Sequence, residues 1–334
     1  MCRYGRNLAD DSDSLTWRCF CDCHVCCTKC VENRVATHWR DTMNILICGA
    51  SGFIGRNLTM ALSKHGHNVI RAVRKPQGQN DIAVDFRNDT DIKHWLPRLE
   101  TIDAVINAVG TLRDNDINPM HAVHQQTPLA LFAACKARQI RRVVHISALG
   151  VGSPVHAVYF TSRIAAEHAL QAFPPHMHWL CLRPSVIYGE DGESARMFRR
   201  LASLQVHMLP MGGHQAMQPV HINDICFAVC KWIEDEGASS GIIDAVGGSP
   251  TTLRGMLDSY RHQLGYAPAC HVTVPEWIVR TSANLGDFVS SSPLSRETLD
   301  MLVAGNVADA AAFTELLGSK PLSYRHFMSV SKKT

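Results

Sequence analysis

The sequence predicts an α/β protein built on a doubly wound parallel sheet, with a smaller, mostly helical lobe toward the C-terminus. Three observations carry this. From residue 44 onward, apolar runs alternate with amphipathic helical stretches at the spacing of β-α-β units. Several of those runs are continuously apolar, as parallel strands buried on both faces must be. The first run, 44–48, opens directly into a glycine-rich turn at Gly49-Ala50-Ser51-Gly52-Phe53-Ile54-Gly55.

Taken in order, strand 44–48 leads to a helix over about 53–65. A second strand spans about 68–73 and a short third 83–85. A fourth, 104–108, precedes a long helix between about 121 and 138. A fifth, 142–147, runs through a loop into a helix over about 158–172, and a sixth spans 178–182 before Arg183-Pro184. Strands alternating with helices imply one doubly wound sheet. Beyond about Tyr188 the pattern loosens into helices with few strands, so 188–334 is expected to form the smaller lobe at the carboxyl edge of the sheet, where ligands bind.

Length and charge narrow the function classes. The 334 residues suit one large α/β unit with an appendage, and a net charge of +3 gives no footprint for nucleic acid. No run of apolar residues is long enough to span a bilayer. The opening, Met1 to Ser14, is polar, and Asp10, Asp11 and Asp13 argue against a mitochondrial presequence starting at Met1. The expected setting is the cytoplasm. Seven of the 13 cysteines fall at Cys2, Cys19, Cys21, Cys23, Cys26, Cys27 and Cys30; the others are scattered among apolar neighbours and read as reduced core thiols. Cys23/Cys26 and Cys27/Cys30 are C-x-x-C pairs, but they abut, whereas structural zinc modules separate two such pairs by a loop or helix that wraps the ion. Residues 1–42 are therefore read as a disordered tail or the product of a start placed too early, with no metal assigned, and 43–334 as the folded protein.

The glycine turn carries the chemistry. Gly49 permits the tight turn off the strand, and Gly52 lets a pyrophosphate approach the backbone. Gly55 allows the helix to pack closely on the sheet, and the helix start offers N–H groups to the phosphates. A glycine turn without a ligand is the plain alternative. Three glycines at these offsets meet three separate steric needs, which favours the ligand.

The loop and its context resemble the extended and atypical branches of the short-chain dehydrogenase/reductase superfamily, which implies a Rossmann-type fold and a nicotinamide cofactor. Other matches cover most of 43–334. Asp85-Phe86 is similar to an Asp-Leu pair that holds the adenine, and Asn107-Ala108-Val109-Gly110 to the Asn-Ala-Ala-Gly segment ending the fourth strand. Ser147 stands where the family keeps a catalytic serine. Arg183-Pro184-Ser185-Val186-Ile187-Tyr188-Gly189 is similar to the turn beside the nicotinamide. Val220-His221-Ile222-Asn223-Asp224 resembles a segment before a helix of the second lobe, where Asn223 or Asp224 is expected to cap and His221 to be structural. Leu302 to Val307 and Phe313 to Leu317 look like bacterial relatives of the NADPH-binding accessory subunit of respiratory complex I. That likeness implies association with a respiratory complex or its membrane.

By the resemblance, Gly49, Ser51, Gly52, Phe53, Ile54 and Gly55, with Asp85, Phe86, Asn107, Ala108, Val109, Gly110, Tyr159, Arg163, Pro184, Ser185 and Val186, line the cofactor. The second strand ends in Val73-Arg74-Lys75 without the carboxylate that would bind an adenosine 2′-hydroxyl. A guanidinium suits a 2′-phosphate, so NADP(H) is favoured over NAD(H); the alternative is that Arg74 and Lys75 are solvated loop charges.

Catalytic members of the superfamily use a Tyr-x-x-x-Lys pair on the helix after the fifth strand. The match here is Tyr159-Phe160-Thr161-Ser162-Arg163, with arginine in place of lysine. If the site turns over, Ser147 polarises a carbonyl or alcohol oxygen, Tyr159 moves the proton, and Arg163 tunes Tyr159 and holds the ribose. Two rivals stand beside this oxidoreductase: a cofactor-bound scaffold or redox-sensing subunit without turnover, and a nucleotide-sugar epimerase or dehydratase. Tyr159 as a mere packing residue is the plain alternative. The small-molecule substrate is not legible. The remaining histidines, in the pairs His65/His67, His121/His124 and His176/His178, lack any H-E-x-x-H or carboxylate pattern, and most are expected at surface ends.

Overall fold

The computed structural model describes residues 42–112, 119–154, 157–287 and 295–331. The N-terminal cysteine cluster and the reading of 1–41 lie outside them.

Seven strands form one parallel sheet: β1 (Asn44–Cys48), β2 (Asn68–Val73), β3 (Asp81–Ala83), β4 (Ala104–Asn107), β5 (Arg142–Ile146), β6 (His178–Pro184) and, much later in the chain, Gly241–Ala245. The chain winds outward from β1 through β2 to β3, then returns to β4 on the other side of β1 and continues to β5 and β6. This reversal leaves a crevice at the carboxyl ends of β1 and β4, where the glycine turn emerges.

Side-chain alternation along the strands sorts two cores. Ile45 and Ile47 of β1 face Leu58 and Leu62 of α1 (Phe53–Lys64). Leu46 and Cys48 face the opposite layer, with Trp95 of α2 (Ile92–Trp95), Leu131 and Phe132 of α3 (Thr127–Ala137), and Ala166 and Leu170 of α4 (Val158–Gln171). Val143 and Cys181 join the second core, while Val144 and Leu182 join the first. Both faces are covered by helices, which is why the strands read as continuous apolar runs.

Two differences from the sequence expectation have local causes. The third strand lies two residues early, because Asp81 opens it: its carboxylate accepts from the amides of Gln77 and Gly78 at 2.9 and 3.0 Å and pairs with Arg71 on β2. An acidic strand start is invisible to an apolar pattern. The chain beyond Tyr188 also carries more strand than expected. Beside α5 (Glu193–Ser203), β7 (Ile187–Tyr188) pairs with β10 (Val220–His221), β8 (Val206–Pro210) with β13 (Cys270–Val274), and β9 (Ala216–Met217) with β12 (Thr251–Thr252). The 241–245 strand, β11, completes the main sheet beside β6. The two-residue strands are too short to show a period of two, and the five-residue β8 (Val206–Pro210) and β13 (Cys270–Val274) lack the continuous apolar run of β1, each carrying a histidine.

This part builds its own core from Tyr188, Leu253, Met256 and Tyr260 of α7 (Leu253–Gln263), and Phe327, with Tyr188 and Phe327 ring centroids 4.9 Å apart. On α6 (Ile222–Glu234), the cap is His221, whose Nδ1 accepts from the Asn223 amide at 3.2 Å. Asp224 instead accepts from the Leu322 amide at 2.8 Å, so the expected cap by Asn223 or Asp224 is replaced. Among the described residues four further helices follow: α8 (Glu276–Gly286), α9 (Arg296–Ala304), α10 (Ala311–Leu317) and α11 (Phe327–Ser331). After α9, Asn306 ties two segments together, donating its amide to Ala216 O and accepting from the Val186 amide at 2.8 Å. Phe313 and Leu317 of α10 plug into the first core. No helix among the described residues is long and apolar enough to cross a membrane.

Phe132 is 1% exposed and Trp277 is 70% exposed. Phe132→Ala is expected to cost about 3–5 kcal/mol in urea unfolding with an unchanged m-value, by loss of burial and a residual cavity. Trp277→Ala should stay within about 0.5 kcal/mol.

Candidate functional site

At the end of β1 the chain turns through Gly49 at φ +79°, where an added Cβ would lie 2.9 Å from Ala108 O. The Gly52 amide closes the turn on Gly49 O at 2.9 Å. A Cβ on Gly55 would stand 2.1 Å from Gly49 O, so only glycine lets α1 sit this close to the strand. Ser51 and Gly52 are exposed. The start of α1 has neither a side-chain cap nor an acidic residue in its first turn. Its leading amides, on Phe53, Ile54 and Gly55, therefore remain donors at the positive end of the helix, a fit to a pyrophosphate. The Phe53 ring packs beneath the turn after β7, where a Cβ on Gly189 would be 2.6 Å from its Cζ.

At the adenosine end, Arg74 and Lys75 leave β2 exposed, and neither makes an ion pair among the described residues. They are free to meet a phosphate. Asp85 is differently placed. Its carboxylate takes the Arg87 guanidinium, the Arg87 amide and the Asn88 side chain, at distances from 2.7 to 3.2 Å. The Arg87 bond, with other hydrogen bonds in this turn, holds the Asp85 pKa down to about 2. These contacts use its lone pairs within its own turn. The Phe86 ring is buried edge-on to Trp95, with centroids 5.6 Å apart, and its carbonyl accepts from Thr127 at 2.8 Å.

Asn107 is fully buried at the end of β4. Its Oδ1 accepts from the Val109 amide at 3.2 Å and its Nδ2 lies 3.3 Å from His145 Nδ1, while the Ala108 amide extends the ladder to Cys48 O. Gly110 is exposed, and a Cβ there would be 2.6 Å from Arg163 Nη2. Its missing side chain admits the guanidinium.

That guanidinium is the centre of the site. Arg163 is 4% exposed. Nη1 donates to Ile146 O at 3.3 Å, and Nη2 reaches both His124 Nε2 at 3.2 Å and the Tyr159 hydroxyl at 3.4 Å. Its Cζ stands 4.6 Å from the centroid of the Tyr159 ring. Among the described residues it has no carboxylate partner, and its buried Nε has no hydrogen bond. A buried cation among neutral groups, with a spare donor, fits a site that takes an oxygen-rich ligand such as a ribose.

His124 corrects a surface expectation, being only 2% exposed. It sits in a π-helical turn, Ala122–Gln126, just before α3. Nε2 accepts from the Thr111 amide at 3.0 Å, so the ring proton is on Nδ1, directed to Ser162 Oγ at 2.8 Å. Burial first, and then the Arg163 charge, lower its pKa to about 2. The same two causes lower His145 to about 3.

Ser147 Oγ donates to Glu167 Oε1 at 2.6 Å, and Glu167 forms a two-pronged ion pair with Arg183 through Nε, at 3.0 Å, and Nη2. The serine proton is thereby committed to a buried carboxylate. Tyr159, Arg163 and Glu167 follow one another at four-residue steps along α4, a spacing that could have revealed Glu167 from the sequence. His124 has no such signal. Pro184, Ser185 and Val186 are held by neighbours: Pro184 O accepts from the Leu149 amide, Ser185 Oγ donates to Gln218 O at 2.6 Å, and the Val186 amide donates to Asn306.

The comparisons with known proteins agree on the architecture. Residues 45–245 match the model of the NAD dependent epimerase/dehydratase family. The chain is 20% identical over 299 residues to the mitochondrial NADH-ubiquinone oxidoreductase 40 kDa subunit of Neurospora crassa, covering 84% of this chain and 76% of that protein. It is 28% identical over 187 residues to a ceramide reductase of Caulobacter vibrioides, covering 54% of this chain and 57% of that enzyme. In fold it is similar to the human epimerase family protein SDR39U1 with NADPH, at a TM-score of 0.66 and 19% identity, covering 87% of this chain and 98% of that one.

His124, His145 and His221 are each at most 3% exposed, and burial lowers His221 to about 4. Imidazoles that stay neutral when folded take up protons on unfolding, so stability is full above the unfolded value of about 6.5 and falls below it. Each should contribute a loss of about 2 kcal/mol between pH 7 and pH 5, read by urea unfolding across that range.

Proposed function

The chain belongs to the NAD dependent epimerase/dehydratase family, and from that membership we propose that it is an NADP(H)-dependent oxidoreductase for a carbonyl or alcohol, with Tyr159 as the proton-transfer residue. The observation that carries this is the Arg163 guanidinium, buried without a carboxylate and donating to the Tyr159 hydroxyl.

Bound NADP(H) supplies or accepts the hydride. Tyr159 does the rest of the balance: a carbonyl gains a hydride and the phenolic proton to become an alcohol, and the reverse reaction returns both. Because the phenol oxygen accepts from Arg163, its own proton is left to be directed at a substrate oxygen. Arg163 compensates the phenolate formed in that step, the task a lysine performs in the motif it resembles. His124 positions Arg163 through a neutral ring, adding no second charge beside it. Ser147 supports the site through Glu167 and has no proton to offer a substrate oxygen, so this reading leaves it out of the transfer. Arg74 and Lys75 favour the 2′-phosphate of NADP(H), while NAD(H) remains acceptable to the loop itself.

A second reading, a cofactor held without turnover, is favoured by the Ser147–Glu167–Arg183 network, which occupies the usual polarising hydroxyl. In that reading the likeness to the Neurospora subunit extends to association with a respiratory complex. The described cysteines are free thiols, which supports a reducing setting, and we assign the cytoplasm.

Tyr159→Phe should lower NADPH oxidation with a panel of aldehydes and ketones by about 10²–10⁴-fold, leaving NADPH affinity unchanged in calorimetry. Arg74→Glu should weaken NADPH binding by about tenfold or more and spare NADH, because a charge-assisted contact becomes a repulsion. Tight NADPH with no turnover by the unaltered protein on any of these carbonyls would select the second reading.

A further inference from the structure

A side-chain cluster apart from the cofactor site has the chemistry of a metal centre. β8 and β13 run parallel with His207 directly opposite His271, and α7 lays Asp258 against both. His271 Nε2 lies 2.8 Å from Asp258 Oδ1, and His207 Nδ1 lies 3.6 Å from the same oxygen. All three ligand atoms fall within 4.8 Å of one another.

His207 gives the decisive detail. It is 2% exposed, and its Nε2 is placed to donate to Ala202 O at 3.4 Å. Its Nδ1 is buried, faces the Asp258 carboxylate oxygen, and has no hydrogen-bond partner. A buried ring nitrogen facing a carboxylate oxygen beyond hydrogen-bond distance leaves room for an ion that both atoms can ligate. A ring nitrogen directed at a backbone carbonyl is also how proteins orient an imidazole whose other nitrogen ligates an ion. Tetrahedral bonds of about 2.0–2.2 Å place neighbouring ligand atoms about 3.3 Å apart, between the two separations seen here.

We propose that His207, His271 and Asp258 bind a divalent cation of the zinc class, with water completing the coordination. Imidazole and carboxylate together suit zinc and its first-row neighbours rather than magnesium or calcium. Arg254 Nε, 3.8 Å from Asp258 Oδ2, lies toward the other carboxylate oxygen and leaves Oδ1 to the ion. The bound ion ties the β8–β13 pair to α7, a staple independent of the cofactor chemistry. Nothing in the sequence marks the pair, since the two histidines stand 64 positions apart and meet only through the strand register.

The test is cobalt titration of the metal-stripped full chain, followed by absorption spectroscopy. Thiolate-bound cobalt, at the N-terminal cysteines, shows intense near-ultraviolet charge transfer, whereas an imidazole–carboxylate site shows only weak visible bands. The unaltered chain should take up one equivalent with such a thiolate-free spectrum, displaced by zinc. His271→Ala and the nearly isosteric Asp258→Asn should each weaken that equivalent by about tenfold or more. A wild-type spectrum of thiolate type alone overturns the proposal, as does a thiolate-free band that survives both substitutions.

Discussion

The close seat of α1 on the end of β1 is the constraint from which the rest of the cofactor side follows. Gly55 lies so near the Gly49 carbonyl that no side chain fits between them. That contact fixes the direction of α1 and aims its uncapped amides into the crevice between β1 and β4. It also brings Phe53 under the turn after β7, so the cofactor loop and the Pro184–Gly189 segment are set relative to each other by one ring and three glycines.

The second organising feature is the contrast between two buried or half-buried arginines on the same side of α4. Arg183 is neutralised by Glu167, and Ser147 completes that network. Arg163, one turn before Glu167 on α4, is surrounded by a neutral histidine, a carbonyl and a phenol. A folded protein that spends no carboxylate on a buried cation keeps its field available to a ligand. The low pKa of His124 belongs to the same arrangement: burial disfavours its charged form first, and the neighbouring guanidinium adds repulsion.

Much of this was legible in the sequence because the causes are local. The three glycine offsets each meet a steric need within seven residues, and the Tyr159–Arg163 spacing places both on one helix face. The end of β2 without a carboxylate is a property of two adjacent residues. What escaped depends on contacts across the fold. His124 reaches Arg163 only because Gly110 leaves room, and nothing near residue 124 announces that gap. Asp85 matches its motif by position, and nothing in the motif announces that Arg87 and Asn88 also hold its carboxylate. His207 and His271 become neighbours only through the register of two strands that lie far apart in the chain.

The most direct measurement is calorimetric NADPH binding alongside thermal unfolding of Arg163→Met, which keeps the bulk of the side chain and removes its charge. A guanidinium kept for a ligand predicts that the cofactor-free variant melts no lower than the wild type, because an uncompensated buried charge is gone, while NADPH affinity falls by about tenfold or more. A variant that unfolds more easily and binds NADPH unchanged would contradict this and make Arg163 a structural residue.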